Sequence, residues 1–350
     1  MTAHDLEYVE LYATDGKSIV DYFVSAFGFA EVAHSNSSNH DEGRESTLLR
    51  QANAHLVVTT GPATYEFLEQ HGDGVADIAF ACADVPGAWD RAMKAGASSF
   101  RAPSDGDGSA ATVSGFGDVR HTLVHRPPGA APRAPVDRAW TEVSDDAGSR
   151  ADPSRIGQVD HIAVCVGSGD LQATVRYYIA AFGLERYYSE YIQVGNQAMD
   201  SVVVRSPSGQ VTFTILEPDS SRDRGQLNDF LDRNGGAGVQ HVAFLVGEII
   251  SSVSEFRDRG VEFLWTPGAY YDVLADRVTG LLEEIADLRE TNVLADCDEW
   301  GYLLQLFTKS PHERSTLFYE LIQRHGAQGF GSANIRALYE AVERERINVH

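Results

Sequence analysis

Three side chains in the second half of the chain, His161, His241 and Glu320, have the types and settings for metal chemistry. Glu320 lies inside the apolar run Leu317, Phe318, Tyr319, Leu321, Ile322, and a carboxylate left unpaired there costs enough to call for a partner. His161 sits in VDHIAVCV (159–166) and His241 in GVQHVAF (238–244), both strand-like stretches. Taken singly, each histidine also fits a satisfied core residue, and Glu320 fits a solvated position on an edge strand. Strand parity supports the other reading: Val159, His161 and Ala163 share a face, as do Val239, His241 and Ala243, and Phe318, Glu320 and Ile322. Two neutral imidazoles and one carboxylate from three separate strands form the facial set that leaves adjacent positions open on a non-haem Fe(II). Zinc more often shows a closed tetrahedral set or additional cysteines. The resulting site keeps a net positive charge, which suits an anionic bidentate ligand.

The elements that position this set can be read around it. After Glu320 comes a glycine-punctuated loop (Gly326, Gly329, Phe330, Gly331), then apolar residues Ile335, Leu338, Tyr339 and Val342 at helical spacing, with Ser332 as a cap. A ligand-bearing strand, a hinged loop and an amphipathic helix together describe a site with a lid; a terminal docking helix is the plainer alternative.

The ligand strands belong to a repeat. Ala26-Phe27-Gly28, closing the helix of 18–30, recurs as Ala181-Phe182-Gly183, closing 174–184. GDGVADIAFACADVPGAWDRAMKAGASSF (72–100) aligns without a gap on GAGVQHVAFLVGEIISSVSEFRDRGVEFL (236–264), and a weaker pairing sets 115–125 beside 299–309. The duplication implies two homologous domains, 1–150 and 151–350, joined by the Pro-, Gly- and Asp-rich stretch 126–157. Trp140 inside that stretch suggests that part of it docks. On this alignment copy one has Glu10 for His161 and Asp77 for His241, and so has lost the histidines.

Composition narrows the class. A chain of 350 residues suggests two domains. It shows no apolar run near membrane-spanning length and no secretory signal in its first residues, so a cytoplasmic location is the default. Cys82, Cys165 and Cys297 are far apart and odd in number, against a disulfide framework. With 28 Lys plus Arg against 51 Asp plus Glu, the net charge of -23 argues against nucleic acid and anionic membrane surfaces as partners. An anionic small substrate stays open, because a bound cation dominates its local field.

Four motifs carry a resemblance over essentially the whole chain: GVQHVAF, FLWTPGAYYDVL (263–274), GYLLQLFTK (301–309) and LFYELIQRHGAQGFGSANIRALYEA (317–341). They resemble the α-keto-acid dioxygenases of the vicinal-oxygen-chelate superfamily, the group of 4-hydroxyphenylpyruvate dioxygenase and 4-hydroxymandelate synthase. The resemblance implies an α+β fold of two open β-barrel domains built from paired βαβββ modules, the first degenerate and the second binding Fe(II), with a C-terminal lid helix. It implies His161, His241 and Glu320 as iron ligands, with 4-hydroxyphenylpyruvate and O2 as small-molecule partners. Ser201, Gln305 and Phe330 match residues that line the substrate pocket. Ile335 replaces a typical dioxygenase Phe, and Thr214 and Leu216 replace a Pro-x-Asn pair; all three match the synthase branch. The expected reaction is therefore oxidative decarboxylation with benzylic hydroxylation to 4-hydroxymandelate, in antibiotic biosynthesis. Homogentisate formation is the alternative, and a non-catalytic binding module the third reading, disfavoured by the intact triad. An assembly of identical subunits is compatible with all of this.

Overall fold

The computed structural model describes residues 3–36, 43–105, 108–143, 155–331 and 333–334. Two mixed sheets dominate it. The first holds β1 (Ala3–Tyr12), β2 (Ala30–Ser35), β3 (Glu45–Gln51), β4 (Ala54–Thr60), β5 (Gly74–Cys82), β6 (Ser99–Arg101), β7 (Ala110–Ser114), β8 (Arg120–His125) and β9 (Thr141–Glu142). The second holds β10 (Ile156–Cys165), β11 (Glu185–Val194), β12 (Gln197–Arg205), β13 (Thr212–Pro218), β14 (Gly238–Val246), β15 (Leu294–Cys297), β16 (Tyr302–Phe307) and β17 (Phe318–His325). Apart from the added β9, the orders β6-β7-β8-β5-β1-β4-β3-β2 and β15-β16-β17-β14-β10-β13-β12-β11 are the same. Each sheet is thus a pair of βαβββ modules, as the repeat implies. Among the described residues no helix is long and apolar enough to cross a membrane.

Alternation along the strands divides each sheet into two faces. One face, with Ile162, Val164, Phe213, Ile215, Val242, Phe244, Tyr319 and Leu321 in the second sheet, joins Leu11, Phe23, Phe27, Phe80 and Leu123 of the first half in a single core. Phe27 meets Phe244 at 6.1 Å and Phe80 meets Phe213 at 6.0 Å between ring centres. His121, fully buried, bonds the Tyr178 hydroxyl at 2.6 Å across the same junction.

Register corrects two of the sequence equivalences. Pairing slips between Ala3 and Asp5, Leu6 and Tyr8, and Glu10 and Leu11 in β1, and between Ile156 and Gln158, Val159 and His161, and Ala163 and Val164 in β10. The bulges coincide when Tyr8, opposite Ala79, is set on His161, opposite Ala243. Tyr8, not Glu10, therefore stands at the position of His161, while Asp77 keeps that of His241. The alternating apolar residues around Glu10 hid this two-residue offset. Likewise β8 runs parallel to β5 as β17 does to β14, so β8 is the counterpart of β17 and residues 115–125 do not match 299–309. Thr122 then takes the place of Glu320.

The corresponding face of copy one is closed by the linker. Tyr8, Ala33, Leu48, Val57 and Ala79 pack with Ala134 and Trp140, and Thr141–Glu142 pair with β2. Arg138 reaches Glu10 at 2.8 Å, both nearly fully buried, and also bonds Ser46 at 2.6 Å. The expected docking around Trp140 is present, whereas the boundary near 150 lies outside the described residues. So do Ser332 and 335–350, which hold Ile335 and most of the expected lid helix; Ala333 and Asn334 are helical.

Asp77 accepts bonds from the backbone N–H and the hydroxyl of Thr122. Burial first, and the neighbouring Glu10 charge second, push its carboxyl up to about 8. Between about pH 4 and pH 8 the folded chain retains a proton the unfolded chain has released, so this group's stabilisation fades as pH rises. Asp77→Asn, which mimics the protonated acid, should flatten that slope and exceed the parent in stability above about pH 8. Urea unfolding at several pH values checks this; an unchanged slope would show that Asp77 does not hold the proton.

Candidate metal centre

The three expected ligands come together on the face of the second sheet opposite the core. Glu320 Oε2 lies 3.4 Å from His161 Nε2 and 3.3 Å from His241 Nε2. One ligand atom from each residue falls within 4.8 Å of the others, and all three residues are buried. Adjacent ligands with bonds of about 2.1 Å sit roughly 3 Å apart around an ion, so these donors need little rearrangement. The imidazoles meet edge to face at 5.5 Å.

Neighbouring side chains hold the rings. His161 Nδ1 bonds Asp160 Oδ1 at 2.8 Å and His241 Nδ1 bonds Gln240 Oε1 at 3.1 Å, which leaves both Nε2 atoms toward Glu320. Asp160 is the residue skipped in the β10 register, and such a bulge re-aims side chains beside a site. Glu320 Oε1 is buried without a partner. An orphaned carboxylate oxygen beside two converging imidazole nitrogens fits a divalent cation.

The electrostatics agree. Burial opposes a charge on His161, but Glu320 and Asp160 outweigh it and raise the ring to about 9. Burial lowers His241. Burial alone would raise Glu320, yet His161 and His241 prevail and lower it. An incoming cation takes the role of the shared proton.

The expected pocket residues lie on the same face, as cross-strand partners show. Ser201 pairs with Leu216, Thr214 with Val203 and Ala163, and Ala163 with His241. On the other side Glu320 pairs with Ala243 and Phe307, and Gln305 with Ile322. Thr214 is buried with its hydroxyl unpartnered, a second orphaned oxygen on this face. The Phe330 ring stands edge-on to His161 at 5.1 Å. Gln305 Oε1 accepts from Asn334 at 3.2 Å. Gly331, at φ +73°, passes so close that a Cβ would lie 1.9 Å from that oxygen, so glycine is favoured there. Gly326 also takes a positive φ, whereas Gly329 does not, leaving two of the three expected hinge positions in conformations that favour glycine.

Sequence reasoning missed Asp160, Gln240, Arg324, Tyr270 and Asn334. The Tyr270 hydroxyl donates to Asn334 Oδ1 at 2.7 Å, holding the last described residue. Arg324 fastens Asp160 through paired bonds of 2.8 and 2.7 Å. Asp160 directly precedes a ligand and Arg324 stands four residues after Glu320, on the same face of the strand by parity, so both were visible as charges beside the ligands.

Comparison with known proteins agrees with this architecture. Residues 1–131 match the family model described as hydroxyphenylpyruvate dioxygenase, N-terminal, and residues 160–277 that of the glyoxalase/bleomycin resistance protein/dioxygenase superfamily. A 4-hydroxyphenylpyruvate dioxygenase of Aspergillus fumigatus is 32% identical over 97% of this chain and 92% of its own; that of Dictyostelium discoideum is 30% identical over 97% of both. A solved triple mutant of 4-hydroxymandelate synthase from Streptomyces coelicolor is 49% identical, covering 98% of this chain and 99% of its own, with a TM-score of 0.87. Fold and site define a dioxygenase of the vicinal-oxygen-chelate type. The chain belongs to the 4-hydroxyphenylpyruvate dioxygenase family.

Alanine at His161, His241 or Glu320 should abolish turnover and leave no measurable Fe(II) binding in equilibrium dialysis, since each removes one of three donors. Alanine at Asp77 or Tyr8, in the closed copy, should leave metal binding intact. Retained binding in Glu320→Ala, or its loss in Tyr8→Ala, would place the metal elsewhere.

Proposed function

We propose that the chain binds Fe(II) through His161, His241 and Glu320 and converts 4-hydroxyphenylpyruvate and O2 into 4-hydroxymandelate and CO2. The observation that carries the product assignment is the 49% identity to a 4-hydroxymandelate synthase, against 30 to 33% for the dioxygenase relatives. Thr214, Leu216 and Ile335, the three positions that depart from the dioxygenase pattern, lend support. When bound, the iron would supply chelation of the α-keto acid and activation of O2, the keto acid itself providing two of the four electrons.

The chain's own residues set the pose. The donor set would leave room at a bound ion for the substrate's carboxylate and keto oxygens, whose negative charge would offset the excess positive charge of the site. Ser201 and Thr214 on adjacent strands offer hydroxyls on the same face, and the partnerless Thr214 Oγ1 is available to a bound molecule. Leu216, two residues along, supplies an apolar surface in place of a carboxamide. Phe330, held over His161, bounds the ring side and excludes water from it. Small differences in pose decide which carbon reacts, since a misplacement of about 1 Å changes rates ~100-fold. The cytoplasm is the expected compartment.

Product analysis by mass spectrometry, with 4-hydroxyphenylpyruvate, Fe(II) and O2, tests the assignment: 4-hydroxymandelate is expected, and homogentisate as the main product would move the chain to the dioxygenase branch. On the resemblance that sets Ile335 at a dioxygenase Phe, Ile335→Phe should divert part of the turnover to ring oxidation while decarboxylation persists. Unaltered benzylic selectivity in a folded Ile335→Phe variant would leave Thr214 and Leu216 as the selectors.

A further inference from the structure

One guanidinium joins the metal centre to the loop beyond it. Arg324 Nε and one terminal nitrogen grip both oxygens of Asp160 at 2.8 and 2.7 Å, and the same Oδ1 bonds His161 Nδ1 at 2.8 Å. Its other terminal nitrogen donates to the Gly329 carbonyl at 2.7 Å and the Ala327 carbonyl at 3.3 Å. Its Cζ stands 5.1 Å from the centre of the Phe330 ring, which in turn meets His161 edge-on at 5.1 Å. The contacts form a closed circuit: ligand ring, carboxylate, guanidinium, loop aromatic and back to the ligand ring.

The first copy holds a related brace, in which one terminal nitrogen of Arg126 donates to Asp5 at 2.7 Å instead of completing a fork on the counterpart carboxylate. Setting Tyr8 on His161 and Thr122 on Glu320 places Glu7 at Asp160 and Arg126 at Arg324. Arg126 Nε donates to Glu7 at 2.6 Å, and one of its terminal nitrogens donates to the Ala130 carbonyl at 2.7 Å, in the loop just beyond. There the second Glu7 oxygen accepts the backbone N–H of Arg133, where the second copy has an imidazole. The brace therefore belongs to the fold, and its attachment to a histidine belongs to one copy only.

We infer that Arg324 is a positioning residue whose planar fork fixes the His161 ring and the Phe330 loop together, so that metal affinity and the wall of the substrate pocket are set by one contact. This rests on the metal reading of the triad but not on the identity of the product. A forked cation is required: two parallel bonds to Asp160 and two loop carbonyls use nitrogens that a lysine ammonium cannot place in one plane.

Co(II) titration of the full-length protein, followed by its visible absorption, tests the inference. Arg324→Lys should weaken Co(II) binding by about 10- to 100-fold, as loss of support to a ligand does, shift the absorption band, and raise the share of O2 consumed without product. Arg126→Lys, breaking the equivalent brace, should lower thermal stability and leave Co(II) affinity and spectrum at parental values. Phe330→Ala, which frees the guanidinium face without touching Asp160, should shift the same band. If Arg324→Lys does not fold, Asp160→Asn carries the test, since it keeps an acceptor for His161 and loses the charged fork; the same weakening is expected. Parental affinity and spectrum in the folded Arg324 or Asp160 variant, or equal weakening in Arg126→Lys, would overturn the inference. An unshifted band in Phe330→Ala would overturn its loop half. A parent that binds no Co(II) would instead defeat the metal reading beneath it.

Discussion

Burying the Glu320 carboxylate between two imidazoles is the constraint on which the second half of the chain depends. A buried charge costs several kcal/mol unless neighbours compensate, and one oxygen of Glu320 has no protein partner at all. The two histidines point their Nε2 atoms at the other oxygen because Asp160 and Gln240 hold the opposite ring nitrogens. Three strands, β10, β14 and β17, must keep their register for this to hold, and their other faces are locked into the core shared with the first half. Site geometry and core packing are thus two faces of the same strands.

The first copy shows what the fold does without that constraint. At the three equivalent positions it has Tyr8, Asp77 and Thr122, which satisfy one another or pack. The linker covers the face, with Arg138 supplying a fixed cation to Glu10. In the first copy a guanidinium from the linker neutralises the buried Glu10, whereas in the second Glu320 Oε1 is left without a protein partner. The bulges in β1 and β10 and the Arg126 and Arg324 braces persist in both copies, so they serve the sheet before they serve the site.

Much of this was legible in the sequence, for physical reasons. The gapless match of 72–100 to 236–264 exposed the duplication, and strand parity put His161, His241 and Glu320 on one face. The alignment of Glu10 with His161 failed because an alternating strand slipped by two residues keeps its apolar pattern, and only hydrogen-bond register separates the two settings. The match of 115–125 to 299–309 failed because both are apolar edge-to-centre strands and parallel pairing leaves no local mark. Asp160 and Arg324 lie 164 residues apart, so their pairing needed the fold.

One copy is expected to hold a single divalent ion and the other none. Anomalous diffraction at the iron edge from crystals grown with Fe(II) under anaerobic conditions tests it most directly. The account predicts one peak per chain, bonded to His161 Nε2, His241 Nε2 and Glu320. A peak beside Asp77 and Glu10, or none at the three ligands, would contradict it.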